Sequence, residues 1–175
     1  MIFPSGSTFG EAKDIVFSEQ TKKVNLFFRT CSCESFHILI THCLFLHIWR
    51  GVAFEEVCWQ HFTQMLKALE IGGVKTTVSA WAVKGDDGHT GTQIDLLIMR
   101  ADNVVNLCEM KFASTPYMID KDEAGRLQVR IDSLKQTLSA KQTVHLTMVT
   151  TFGTAYGKHS GIVQRQVMMD DLFAQ

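Results

Sequence analysis

Two strand-like apolar runs, Gln93–Met99 and Val104–Phe112, flank the short polar turn Ala101-Asp102-Asn103, and this spacing restricts the fold more than any other feature of the chain. Runs of this kind joined by a tight polar connection read as a β-hairpin. A three-residue hairpin loop leaves its last position left-handed, a conformation that Asn tolerates better than most non-glycine residues. Arg100 then pairs with Val104, and counting back along both strands brings Asp95 opposite Glu109. Opposed β-carbons lie roughly 4.5–5.5 Å apart. Glu109 and Lys111 are two apart and share a face, roughly 7 Å from one another at ~3.4 Å per residue. The hairpin therefore gathers two carboxylates and one ammonium at a single point of a sheet.

Like charges directly opposite one another destabilise a hairpin, but a divalent cation between them reverses the sign. Mg2+ takes hard oxygen ligands, usually one or two carboxylates with water and substrate phosphate, and coordination lowers the pKa of a bound water. Lys111 can orient such a water or stabilise charge that grows on phosphorus. Acid-x-lysine triplets on strands are common, and most are solvated. Asp95 differs because it sits within Ile94-Asp95-Leu96-Leu97-Ile98, where a carboxylate is costly to bury unless paired or metal-bound. The pattern suits hydrolysis of a phosphodiester. A glycosidase-type carboxylate pair fits less well, since it leaves Lys111 without a task.

The surrounding chain supplies a sheet and its helices. Phe54, Val57, Cys58, His61, Phe62, Met65 and Leu69 recur at helical spacing, with a stop at Gly72-Gly73. On that wheel Glu55 lies at the edge of the stripe, while Glu56 points away. Glu55 can face the working side of the sheet or simply favour the helix macrodipole from the first turn. Val74–Val83 reads as a strand and 84–91 as a polar loop. A second helix begins near Asp120, where Asp120 and Glu123 resemble a capping box, and buries Ala124, Leu127, Ile131, Leu134 and Leu138. Thr143–Thr151 and Gly161–Met169 are further strands, and Asp170–Phe173 is a closing turn. Helix, three strands, helix, two strands predicts an α/β fold with a mixed sheet flanked by helices.

The 175 residues suit one domain, and the net charge of -1 provides no global basic field for nucleic acid, so a nucleic-acid role must rest on local geometry. Five cysteines without small-domain disulfide spacing fit a reducing, cytoplasmic setting. The apolar stretch Phe36–Trp49 is shorter than the ~20 residues of a membrane helix, and the N-terminus lacks the pattern of a signal peptide. Cys31, Cys33, His37, His42, Cys43 and His47 are spaced unlike structural zinc ligands. Gly153–His159 has the wrong spacing for a Walker loop. Arg126 and Arg130, four apart beside Gln128, could contact phosphates, but such a pair is more often a solvated helix face, here beside Asp122, Glu123 and Asp132; Cys58, Cys108 and His61 read as packed residues.

Trp49-Arg50-Gly51-Val52-Ala53-Phe54-Glu55, Gly91-Thr92-Gln93-Ile94-Asp95-Leu96-Leu97-Ile98 and Asn106-Leu107-Cys108-Glu109-Met110-Lys111-Phe112 together resemble the C-terminal, PD-(D/E)XK nuclease-like domain of bacterial and archaeal P-loop ATPases. The stretches Leu146–Thr151, Ser160–Val163 and Asp170–Phe173 are similar to it as well, so the resemblance covers roughly residues 49–173. It implies a restriction-endonuclease-like core over 49–175, with 1–48 as an N-terminal accessory or truncated segment. It implies Glu55, Asp95, Glu109 and Lys111 as catalytic residues, and Asp95, Glu109 and the Met110 carbonyl as ligands of Mg2+ or Mn2+. The expected partners are DNA and a P-loop ATPase, either a separate chain or a missing upstream domain, without a membrane. Dimerisation is left open. The alternative expectation is a catalytically inactive module of the same fold that binds DNA or protein.

Overall fold

The computed structural model describes residues 36–83 and 92–174. The expected polar loop at 84–91 and the Cys31 and Cys33 pair lie outside the described residues, as do the side chains of His37, His42, Cys43 and His47. The architecture is α/β, with a five-stranded mixed sheet in the order β1-β2-β3-β4-β5. Helix α1 spans Phe36–Gln60 and α2 Phe62–Ala68; β1 (Thr76–Val83), β2 (Thr92–Arg100) and β3 (Val104–Lys111) follow. Then come α3 (Lys121–Thr137), β4 (Thr143–Thr150), a 3-10 turn at Ser160–Ile162, β5 (Arg165–Met168) and a short α4 (Met169–Leu172). β1, β2 and β3 pair antiparallel, while β4 lies parallel to β3 and β5 parallel to β4. A parallel strand needs a crossover, and α3 provides the one between β3 and β4. Among the described residues, no helix is long and apolar enough to cross a membrane.

The sheet is buried on both faces. Phe54, Cys58, Met65 and Leu69 of the first helical layer pack against Val78, Leu96, Ile98, Cys108 and Met110. On the other face Leu127, Ile131 and Leu134 of α3 cover Ile94, Leu97, Val105, Leu107, Leu146 and Met148. Side chains alternate between faces along a strand, so Val105 and Leu107 fix the face of the next odd residue of β3. That residue is Glu109.

Several boundaries differ from the sequence reading, each for a physical reason. The first helix begins at Phe36 rather than Phe54 and runs through the expected boundary at 48/49. Residues 36–49 are apolar nearly all round, so the amphipathic period that marks a helix in sequence does not show there. The second helical segment stops at Glu70, not at Gly72-Gly73. Glu70 takes a left-handed φ of 60°, its N–H donates to the Lys67 carbonyl, and the Ile71 N–H donates to that of Leu66 at 3.0 Å. This is a Schellman closure, sealed by Ile71 entering the core. The expected strand over Gly161–Met169 is reduced to Arg165–Met168. Ahead of it the Gln164 side chain accepts from the Leu146 N–H at 2.6 Å and donates to the Ile162 carbonyl at 2.8 Å, taking the place of ladder bonds.

Candidate active site

The β2–β3 hairpin carries the register that its turn predicts. Leu96 faces Cys108 and Met99 faces Val105, so the next positions out bring Asp95 opposite Glu109 at one end and Arg100 opposite Val104 at the other. Asn103 is left-handed, with φ 65°, and its N–H donates to the Arg100 carbonyl at 3.2 Å. Asp102 fastens the turn by accepting from Arg100 Nε at 3.0 Å.

A β-bulge adjusts the aim of Asp95. On β1 Ser79 faces Leu97, but Trp81 faces Ile94, so Ala80 stands against both Asp95 and Leu96. Bulges redirect side chains and recur beside active sites. Here the bulge changes the phase of β2, and Ile94 and Leu97 both reach the α3 face. The β2–β3 pairing stops at Leu96 and Cys108. The Met110 N–H then donates to Asp95 Oδ2 at 3.1 Å.

Glu109 is only 1 % exposed and is held by two cations. Lys111 Nζ lies 2.6 Å from its Oε1, and Arg130 of α3 pairs with its Oε2. Each oxygen of this buried carboxylate therefore carries one cation. Lys111 stands beside Thr150 in the parallel β3–β4 register, and the buried Thr150 hydroxyl lacks a partner among the described residues. Burial and the neighbouring Glu109 charge push the Asp95 carboxyl from its ordinary 3.8 up to about 6, against the pull of the Met110 N–H, Lys111 and Arg130. Burial also works against the Lys111 ammonium, but Glu109 outweighs it, with Asp95 and Glu123 adding to the effect, and the lysine is held above its ordinary range.

A second carboxylate pair extends the cluster. Asp120 caps α3 by accepting from the Glu123 N–H at 2.8 Å. The Glu123 carboxylate does not complete a capping box; it accepts from Arg126 Nε at 2.9 Å. Burial, then the charge of Glu123 and its hydrogen bond, push the Tyr117 phenol to about 12. Tyr117 is tied to the β4–β5 loop, donating its N–H to the Gly153 carbonyl at 2.8 Å and accepting from the Ala155 N–H at 2.8 Å.

The structure thus brings Asp95, Glu109, Lys111 and the Met110 backbone together. Glu55 joins less directly. It is half-buried on α1, which packs on the opposite face from Glu109. Burial pushes the nearby Cys58 thiol up to about 12, and the charges of Glu55 and Asp95 add to that push. The two carboxylates therefore share this sulfur as a neighbour.

Arg130 corrects the reading of Arg126 and Arg130 as one solvated face. The Arg126 side chain is 61 % exposed, whereas that of Arg130 is 22 % exposed and turned onto Glu109. A signal was present, since Glu123, Leu127, Arg130 and Leu134 fall at i, i+4, i+7 and i+11, along the buried stripe.

The oxygen donors suit a small, hard cation. Among the described residues no group of three or more His, Cys, Asp or Glu side chains is placed to hold a metal, but Mg2+ commonly uses only one or two carboxylates with water and substrate. The opposed carboxylates of Asp95 and Glu109 meet that smaller requirement.

No protein-family model matches this chain, and no curated protein matches it. Among solved structures, the chain is similar to a crystal structure described as that of a protein of unknown function, AF1548, at 21% identity and a TM-score of 0.41. That similarity covers 61% of this chain and 55% of the other, so it spans about half the length of that protein.

Proposed function

We propose that the chain is a divalent-cation-dependent nuclease domain of the PD-(D/E)XK type, with a restriction-endonuclease-like core, that hydrolyses phosphodiester bonds in DNA. The observation that supports this reading is the meeting of Asp95, Glu109 and Lys111 where the β2–β3 ladder ends. Two carboxylates opposed at a splayed strand end, with an ammonium on one of them, are poorly explained as a means of stabilising a sheet.

Asp95, Glu109 and the Met110 carbonyl would hold Mg2+ or Mn2+. When bound, the ion supplies an acidified water and neutralises charge on the phosphate. In the hydrolysis, a water oxygen bonds to phosphorus, the bond from phosphorus to one sugar oxygen breaks, and that oxygen takes up a proton as the water gives one up. Lys111, 32 % exposed at its side chain, would orient the water or stabilise the added charge on the phosphoryl oxygens. Glu55 assists from the first helix by positioning a base or the cation. The association with a P-loop ATPase rests on the sequence resemblance, and the cytoplasmic setting on five cysteines without small-domain disulfide spacing.

The test is Mg2+- and Mn2+-dependent cleavage of plasmid and branched DNA by the wild type, Asp95→Ala and Lys111→Ala. Cleavage by the wild type, lost in both folded variants, is expected. A wild type that neither cleaves nor binds the cations would overturn the reading. A non-catalytic module of the same architecture is the second reading. It draws on the two ion pairs that already neutralise Glu109, and it expects DNA or protein binding unaffected by either variant.

A further inference from the structure

Arg130 of α3 has no part in the hydrolysis proposed above, yet its guanidinium sits directly on Glu109. Among the described residues its guanidinium has one ion-pair partner, Glu109. Its N–H groups form a planar fork with five donors. One contact leaves most of that fork unused, and the side chain retains 22 % of its exposure.

Each oxygen of Glu109 carries one cation, Lys111 on Oε1 at 2.6 Å and Arg130 on Oε2. Charge gives the direction of the change. Asp95 and Glu109 are balanced by Lys111 and Arg130 in the free protein, so a divalent cation added between the carboxylates leaves both side-chain cations uncompensated. The local surplus is positive, partly exposed and suited to an anion. Of the two, Arg matches the non-bridging oxygens of a phosphate with a bidentate fork, which Lys cannot do.

We propose that Arg130 is the phosphate anchor of this site: its guanidinium holds Glu109 in the free protein and turns to a non-bridging oxygen of the substrate phosphate once that carboxylate engages a divalent cation. The inference rests on the nuclease reading above and names the side chain that takes the phosphate.

The experiment measures affinity for a labelled DNA duplex over a salt series, in EDTA and in Ca2+, for wild type, Arg130→Gln and Arg130→Lys. Ca2+ is the probe because it seeks hard oxygen ligands, and its binding is followed separately by calorimetry. In EDTA, Arg130→Gln should match the wild type, since Arg130 is then engaged by Glu109. In Ca2+ the wild type should bind more tightly, and its logarithmic salt slope should exceed that of Arg130→Gln by about one. Arg130→Lys should keep the slope but bind several-fold more weakly than the wild type, in Ca2+ alone. If Arg130→Gln fails to fold, Arg130→Lys carries the test. Wild-type affinity in Ca2+ for the folded Gln variant, or for the Lys variant when it stands alone, would overturn the proposal. So would an equal loss in EDTA. A wild type that binds Ca2+ and DNA while the Arg130 variants are indistinguishable from it overturns only the role of Arg130. A wild type that binds no Ca2+ overturns the nuclease reading as well.

Discussion

Replacing Asp95 with Asn should make the cation-free protein more stable at neutral pH, and the size of the effect follows from the site. In the folded chain burial and Glu109 push the Asp95 carboxyl from 3.8 to about 6. Below pH 3.8 the carboxyl is protonated in both the folded and the unfolded chain, and it exacts no penalty. Between these two values the folded state keeps a proton that the unfolded state has lost, so stability falls as pH rises. Above pH 6 the penalty is complete. The gap, at about 1.4 kcal/mol per unit, amounts to roughly 3 kcal/mol. Asn carries no ionisable proton and can still accept from the Met110 N–H. Urea denaturation in EDTA, followed by fluorescence of the buried Trp59 and Trp81, would compare the two proteins from pH 3.5 to pH 8. The difference in their stabilities isolates Asp95 from the other carboxylates. It should be near zero at the acid end and grow to roughly 3 kcal/mol in favour of Asp95→Asn above pH 6. A variant no more stable than the wild type at pH 7.5, or a difference that does not change between pH 4 and 6, would refute the reasoning.

Other substitutions separate the remaining forces. Glu109→Gln leaves Lys111 and Arg130 without their shared counter-charge and should destabilise the fold by about 3 kcal/mol, the lower end for a broken buried pair, as read by urea denaturation. Glu70→Gly relieves a left-handed residue with φ 60° and should stabilise by about 1 kcal/mol, visible as a higher urea midpoint at constant slope. Gly125→Ala fills open space on the exposed side of α3 and should add about 0.8–1.0 kcal/mol of helix propensity. A lower melting temperature for that variant would contradict its placement mid-helix.

The parts of the fold legible in sequence are those fixed by local chemistry. Asn103 marks the left-handed loop position, so the register that brings Asp95 opposite Glu109 could be counted out before any tertiary contact was considered. Asp120 and the stripe through Leu127, Ile131 and Leu134 mark α3 in the same way. The bulge at Asp95 and Leu96 left no trace, because neither residue type demands it. It arises from the pairing of Ser79 with Leu97 and of Trp81 with Ile94. The left-handed stop at Glu70 was hidden by the more conspicuous Gly72-Gly73, since the pull of Ile71 into the core is a tertiary effect. Arg130 was concealed by its charge. A guanidinium on a helix ordinarily turns to water, and its place on the buried stripe becomes informative only with Glu109 across from it.

The most direct test of the central claim is a Mn2+ titration, followed by electron paramagnetic resonance, of wild type, Asp95→Asn and Glu109→Gln, each first shown to be folded. If Asp95 and Glu109 together hold the cation, the wild type binds Mn2+ and each variant loses at least about tenfold in affinity. Equal affinity in all three proteins would show that the cation does not use this pair of carboxylates.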